Sequence, residues 1–348
     1  MTFWRHLAAT LALPAVLTVV LGGCESSSNE NAPAREVVVY TALDRGFSEP
    51  ILDDFTRRTG IRVRAVYDTE STKTVGLANR IRSETARPRC DVFWNNEILN
   101  TLALKAEGLL QPCKPAEAAN YPARWQDPDG CWYGFAARAR ILIVNTELVP
   151  GDQMPTSVRD LADPRWKGRT AIAKPLFGTT ASQVACWFAT MGEADATALL
   201  DAFKANDIQI HGGNKGVAVA VANGSAAFGL TDTDDATIEV EAGKPVRIVY
   251  PDSGPEEMGT LFLPNTLAVV KGAPHPAEAV QLIDYLLSAE VEARLAAGPS
   301  AQIPLRRDAK PNPRVKGPDE VHAMDVDFEA AAAAFRRARD VVEARFLQ

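Results

Sequence analysis

The chain has no apolar run long enough to cross a bilayer comfortably: its longest, residues 7–20, falls short of the roughly 20 residues a spanning helix needs. Histidine is scarce, 4 residues in 348, and one of these, His6, lies close to the N-terminus. His211, His275, His322 and the five cysteines form no pairs at zinc-ligand spacing, which excludes the common structural zinc sites. There is no Gly-x-Ser-x-Gly elbow, no His-Glu-x-x-His helix, no P-loop and no Gly-x-Gly-x-x-Gly after a strand, so the familiar nucleophile, metalloprotease and nucleotide motifs are missing. Carboxylates alone support some catalysis, so these absences weaken an enzymatic reading without removing it. Positive charge is in deficit as well. With 37 Lys and Arg against 44 Asp and Glu the net charge is −7, which argues against nucleic acid or an anionic membrane surface as partner. Aromatic content is only 7%, so Trp94, Trp132 and Tyr133 read as core or cleft wall rather than a stacking platform.

What is present begins with Leu21-Gly22-Gly23-Cys24, which ends the apolar run. A short leader with one cation, Arg5, then an apolar stretch and small residues before a cysteine form an export signal. Residues 1–23 are expected to be removed and Cys24 to carry lipid, placing the protein at the cell envelope, on the periplasmic side of a membrane or at the cell surface. Residues 24–35 are polar and aperiodic, the composition of a flexible tether. The remainder exceeds what one core normally serves, so two lobes are expected. Hydrophobic content of 46% and charged content of 23% are those of a folded globular chain. In an oxidising compartment Cys113 and Cys131, which flank a polar loop, are expected to pair, while Cys90 and Cys186 read as buried thiols.

Strand and helix patterns alternate from residue 37 onward. Strands are expected over 37–41, 61–67, 91–94, 141–145, 170–173, 208–210, 227–231 and 246–250, with a strand pair over 260–270. Helices are expected from Ser48 as cap, over 73–85 and 98–107, from Thr180, and over 195–206, 217–222, 238–242 and 277–287. A tail helix carries Phe328, Phe335, Val342 and Phe346 on one side. Such alternation predicts an α/β fold with a mostly parallel sheet, which binds ligands at the carboxyl ends of its strands. A crossover over 136–140 and a return near 260 divide the chain into one lobe of residues 36–137 and 259–289 and a second of 138–258 and 290–348, joined by hinge strands.

The strand exits carry polar groups that could face one cleft: Asp44, Thr69, Glu70, Ser71, Asn95, Asn96, Glu97, Gly178, Thr179, Thr180, Asn214, Lys215, and Thr231 to Asp235. In the last of these a strand runs into three carboxylates, Asp232, Asp234 and Asp235. Helix capping is one explanation. The other is that acids so close repel unless a cation neutralises them, which suggests a hard metal ion or an amine as guest. Gly178 to Thr180 has the opposite polarity, a helix start able to hold an oxyanion. Arg138 and Arg140 are expected to pair with a bound anion or with carboxylates across the lobes.

Several stretches together resemble one family. They are Val37-Val38-Val39-Tyr40-Thr41, Thr59-Gly60-Ile61-Arg62-Val63, Cys90-Asp91-Val92-Phe93-Trp94, Ala106-Glu107-Gly108-Leu109-Leu110, the run from Leu161 to Arg169, Pro264-Asn265-Thr266, and Ala301-Gln302-Ile303-Pro304-Leu305. Across most of residues 36–307 the chain is similar to the extracellular solute-binding proteins of ABC importers, nearest their ferric-ion-binding branch, with relatives for phosphonates, thiamine and polyamines. The resemblance implies a two-lobed periplasmic-binding-protein fold of type II, closing on a ligand and acting as a monomer that delivers it to a membrane permease, with no resident cofactor. In that branch a histidine follows the first strand, an acid follows the Asp-Val-Phe strand and two tyrosines follow a Gly-Leu strand. Here those positions hold Asp44, Asn96 or Glu97, and Asp234 with Asp235, so carboxylates replace the tyrosinates that select iron(III). Gly178, Thr179, Thr180 and Asn214 match the family's anion loop. The resemblance thus implies a receptor for iron(III) or another hard metal ion. Alternatives are an organic cargo such as an aminophosphonate or polyamine, with its amine on the aspartates and its acid at Gly178 to Thr180, or a metal-dependent secreted hydrolase.

Overall fold

The computed structural model describes residues 35–68 and 75–346. Cys24, most of the tether, and Thr69, Glu70 and Ser71 lie outside the described residues. The first series of elements is β1 (Glu36–Thr41), α1 (Arg45–Thr59), β2 (Arg62–Tyr67), α2 (Val75–Ser83), β3 (Val92–Asn95), α3 (Leu99–Ala106) and β4 (Leu110–Gln111). A long strand, β5 (Tyr133–Asn145), leads to the second series: β6 (Thr170–Ala173), α4 (Gly178–Met191), α5 (Glu193–Ala205), β7 (Gln209–His211), α6 (Asn214–Ala222), β8 (Phe228–Asp232), α7 (Thr233–Glu241) and β9 (Val246–Val249). The chain returns through β10 (Phe262–Val270) and ends in α8 (Pro276–Leu286), α9 (Ala289–Ala297) and α10 (Phe328–Phe346).

Among the described residues one sheet path runs β2-β1-β3-β10-β5-β8-β6-β7, with β4 on β10 and β9 on β5. The β1–β2, β1–β3, β6–β7 and β6–β8 pairings are parallel, and every pairing made by β5 or β10 is antiparallel. The sheet is therefore more mixed than the expectation of a mostly parallel one. β10 runs against the first parallel set and β5 against the second. All thirteen residues of β5 are buried, and the strand changes partners within itself: Tyr133 to Ala139 pair with β10, Arg140 to Asn145 with β8 and β9. At its bend Ala136 takes a positive φ of 44°. Its N–H donates to the buried Glu292 carboxylate at 2.9 Å, which also accepts from the backbone of Leu305 and Arg306 and so ties the return segment to the crossing strand.

Several local expectations change: the strand expected over 141–145 begins at Tyr133, and the strand pair expected over 260–270 is the single strand β10. Helix α1 starts a turn earlier than a Ser48 cap requires, after Asp44, and Ser48 donates instead to the carbonyls of Leu43 and Asp44. Residues 290–297 ion-pair with α1, through Arg294 to Asp54 and Glu290 to Arg58. The tail helix α10 packs on α4, α3 and α5, with Val342 fully buried, and none of the described helices is long and apolar enough to cross a membrane.

Helix α6 approaches the sheet closely where β8 carries Gly229. A Cβ there would stand 2.6 Å from Val217 Cγ1 and 2.7 Å from the Ala171 carbonyl oxygen. Gly229→Ala is expected to destabilise the protein by about 1–3 kcal/mol through overpacking, read as a lower urea midpoint at unchanged slope.

Candidate functional site

Strand exits from both series converge on a cavity of about 660 Å³. Asp44 after β1 and Asn96 after β3 contribute one wall, and Lys174 after β6, Gly178 and Thr179 opening α4, Asn214 and Lys215 opening α6, and Asp232, Asp234 and Asp235 after β8 contribute the other, with Arg138 of β5 between them. A smaller cavity of about 260 Å³, lined by Ile81, Cys90, Leu109 and Val270 among others, contains none of these groups.

The centre of the site is a buried ion pair. Arg140, 1% exposed, donates from Nη1 to Asp232 Oδ1 at 2.7 Å, and also reaches Thr179 Oγ1 at 3.1 Å and Asn214 Oδ1 at 3.0 Å. Its Nη2 donates to Thr180 Oγ1 at 3.1 Å. Asp232 Oδ2 accepts from Thr179 Oγ1 at 2.7 Å and Asn214 Nδ2 at 3.0 Å. Burial pushes the Asp232 carboxyl upward, but Arg140, Arg138 and the Thr179 hydrogen bond outweigh it and hold it below its ordinary value. Arg138, on the same strand, donates to the Asn96 carbonyl and lies 3.6 Å from Asp234 Oδ2. Burial opposes its charge, yet Asp234, Asp232, Asp235 and Asp44 together raise its pKa.

The acid cluster is thus partly neutralised from within, a role the sequence left between a bound anion and a carboxylate for these arginines. Capping does not account for the first of the three acids, since Asp232 precedes α7 but makes no side-chain cap bond to it. Carboxylate oxygens of Asp232, Asp234 and Asp235 lie within 4.8 Å of one another. Two further groups are buried on the cavity wall without a hydrogen-bond partner: Asn96 Oδ1, an acceptor, and Arg138 Nε, a donor.

Not every expected residue reaches the cavity. Glu97, expected as a metal ligand, is fully buried and accepts from Leu99 N–H (2.6 Å), Asn100 N–H (3.0 Å), Asn100 Nδ2 (2.9 Å), Asn95 Nδ2 (2.7 Å) and Ser182 Oγ (3.0 Å). It anchors the start of α3 and links it to α4, leaving no oxygen for an ion. Asn95 is consumed by Glu97, and Thr231 Oγ1 donates to the Asn214 carbonyl at 3.0 Å. Thr180 belongs to the Arg140 network but does not line the cavity. Lys174 was overlooked, although it stands at a strand exit and the rule that selected its neighbours would have found it. Cys113 and Cys131 are free, buried thiols rather than a disulfide, as are Cys90 and Cys186. Burial pushes the Cys113 thiol up to about 12 and raises Cys131 as well, so the thiolate needed for exchange is scarce at neutral pH.

Two α/β lobes, two crossing strands and a polar cleft at the strand exits define a protein that captures a small solute, and the fold is that of the periplasmic binding proteins. The chain belongs to the family of bacterial extracellular solute-binding proteins, whose model matches residues 100–330. It is 28% identical over 306 residues to iron uptake protein A1 of Synechocystis sp., covering 82% of this chain and 83% of that one. It is 30% identical over 172 residues to the major ferric iron-binding protein of Neisseria meningitidis, about half of each chain (49% and 50%). The crystal structure of iron-bound HitA from Pseudomonas aeruginosa superposes with a TM-score of 0.80 at 27% identity, covering 88% of this chain and 99% of that one. The protein is accordingly the solute-binding protein of an ABC importer, working outside the cytoplasm, and not an enzyme.

Removing Arg140 would strand Asp232 as a buried, unpaired carboxylate. Arg140→Leu is expected to cost about 3–5 kcal/mol of stability in urea unfolding, more than the isolated loss of a surface pair would.

Proposed function

We propose that the cleft captures a hard, oxygen-ligated cation, iron(III) or a metal ion of similar chemistry, and that lobe closure presents it to the membrane permease. The carrying observation is the clustering of Asp232, Asp234 and Asp235 within 4.8 Å on the wall of a cavity that also presents Asp44 and the unpartnered acceptor Asn96 Oδ1. Besides Asp232, held by Arg140, the oxygens lining the cavity come from Asp44, Asn96, Asp235 and Asp234, the last also facing Arg138 at 3.6 Å, an all-oxygen set. Carboxylates in place of tyrosinates suit manganese(II) and calcium as well as iron(III), so selectivity rests on charge and the remaining coordination sphere. A cavity of about 660 Å³ is far larger than a bare ion, and the cargo enters with bound waters or a small chelator. The names of the relatives, iron uptake and ferric iron-binding, support the same chemistry.

An organic zwitterion with its acid at Gly178 to Thr180 fits less well, because Asp232 already lies against Thr179. The protein acts as a monomer held at the envelope by lipid on Cys24. Residues 36–137 and 259–289 move as one lobe and 138–258 with the remainder of the chain as the other, residues 290–297 following the first through Asp54.

Isothermal titration with iron(III) citrate, manganese(II) and calcium is expected to show saturable binding of at least one, weakened about tenfold or more by Asp234→Asn with Asp235→Asn. Absence of all three, together with binding of a polyamine or an aminophosphonate, would transfer the site to an organic solute. Cys24→Ala is expected to release the protein from membranes with cation affinity unchanged, followed by fractionation and titration of the soluble form. Lost affinity would show that the anchor does more than locate.

A further inference from the structure

Two helix starts meet at one point in the second half of the chain. Thr179 stands in the first turn of α4, and Asn214 is the first residue of α6. Amide groups at helix starts concentrate positive potential, and with hydroxyl, carboxamide and guanidinium donors beside them they make an anion site. That site contains an anion already, the chain's own Asp232 carboxylate, only 3% exposed. Thr179 Oγ1 and Asn214 Nδ2 donate to its Oδ2 at 2.7 and 3.0 Å, and Arg140 Nη1 donates to its Oδ1 at 2.7 Å. A second layer holds the donors in place. Thr180 Oγ1 donates to Asn214 Oδ1 at 3.2 Å, Asn214 Nδ2 donates to Thr179 Oγ1 at 2.7 Å, and Arg140 reaches all three residues. Although it sits at the N-cap of α7, Asp232 turns away from its own helix to enter this cage.

We propose that Asp232 is a tethered substitute for an external anion: it fills the pocket between α4 and α6 permanently, so the protein takes its cargo without a co-bound phosphate, sulfate or carboxylate there. The side chains of Thr179 and Asn214 are spent on Asp232. A free anion entering the same place would meet a buried negative charge. The consequence for specificity is that charge balance around a bound cation is set by the chain, and phosphate in the medium neither helps nor hinders uptake into the cleft. This inference stands whether or not the cleft binds a metal, and it is tested on metal-free protein.

Wild-type protein, titrated with sodium sulfate, phosphate or formate against chloride at equal ionic strength, is expected to show no saturable thermal shift and no phosphate binding by equilibrium dialysis. Asp232→Ala, which leaves Arg140, Thr179 and Asn214 facing a carboxylate-sized gap, is expected to melt lower and to regain about 3 °C or more in formate or sulfate, saturably. Asp232→Asn, which keeps the shape and fills the gap, is expected to show no such recovery. If the Ala variant does not fold in chloride, refolding in formate gives the same readout. Saturable phosphate binding by the wild type, an Ala variant indifferent to every anion, or an Asn variant rescued as strongly as the Ala variant would overturn the proposal.

Discussion

The site depends on one buried ion pair, Arg140 with Asp232. Taking both charges out of water is expensive, and the pair persists because its geometry and hydrogen bonds repay the desolvation. The arginine belongs to β5 and the aspartate to β8, and between them they hold the first turns of α4 and α6 through Thr179, Thr180 and Asn214. Four elements are thereby fixed at the point where the crossing strand changes partners. Thr179 and Asn214 on that wall of the cleft take their positions from this arrangement, and Gly229, in the same strand as Asp232, lets α6 lie close enough to take part.

The opposite wall takes its shape from the start of α3, tied to α4 through Ser182. Asn95 and Glu97 turn inward to anchor α3, and Asn96 between them is left on the cavity wall with its side-chain Oδ1 unpartnered. Arg138 bridges the walls by donating to the Asn96 backbone carbonyl while facing Asp234. Two arginines on alternate positions of one strand thus serve different ends. Arg140 is spent on structure, whereas Arg138 lines the cleft with Nε free of partners and lies 3.6 Å from Asp234.

Much of this was legible in the chain. Apolar periodicity located most strands and helices to within a few residues, missing β4, α9 and the first part of β5, and the rule that ligands gather at strand exits picked out Asp44, Asn96, Gly178, Thr179, Asn214, Lys215, Asp232, Asp234 and Asp235, all of which line one cavity with Arg138 of the crossing strand. The failures share a cause. Asn95, Asn96 and Glu97 are neighbours of similar polarity, and only the packing of α3 against α4 through Ser182 decides which of them faces inward. Asp232, Asp234 and Asp235 read as one acidic cluster, yet the first is internal wiring because a buried arginine from 92 residues away in sequence claims it. Cys113 and Cys131, plausible partners by position, remain thiols.

By itself the sequence determined the alternation of elements and the polar residues that end many of the strands, because these follow from local periodicity and from side-chain type. Only the tertiary structure decided how those residues divide between holding the fold and lining the cleft. That division depends on which charges end up beside one another out of water, where Coulomb attraction and desolvation are both large, and no local pattern encodes contacts made across 40 to 90 residues of chain.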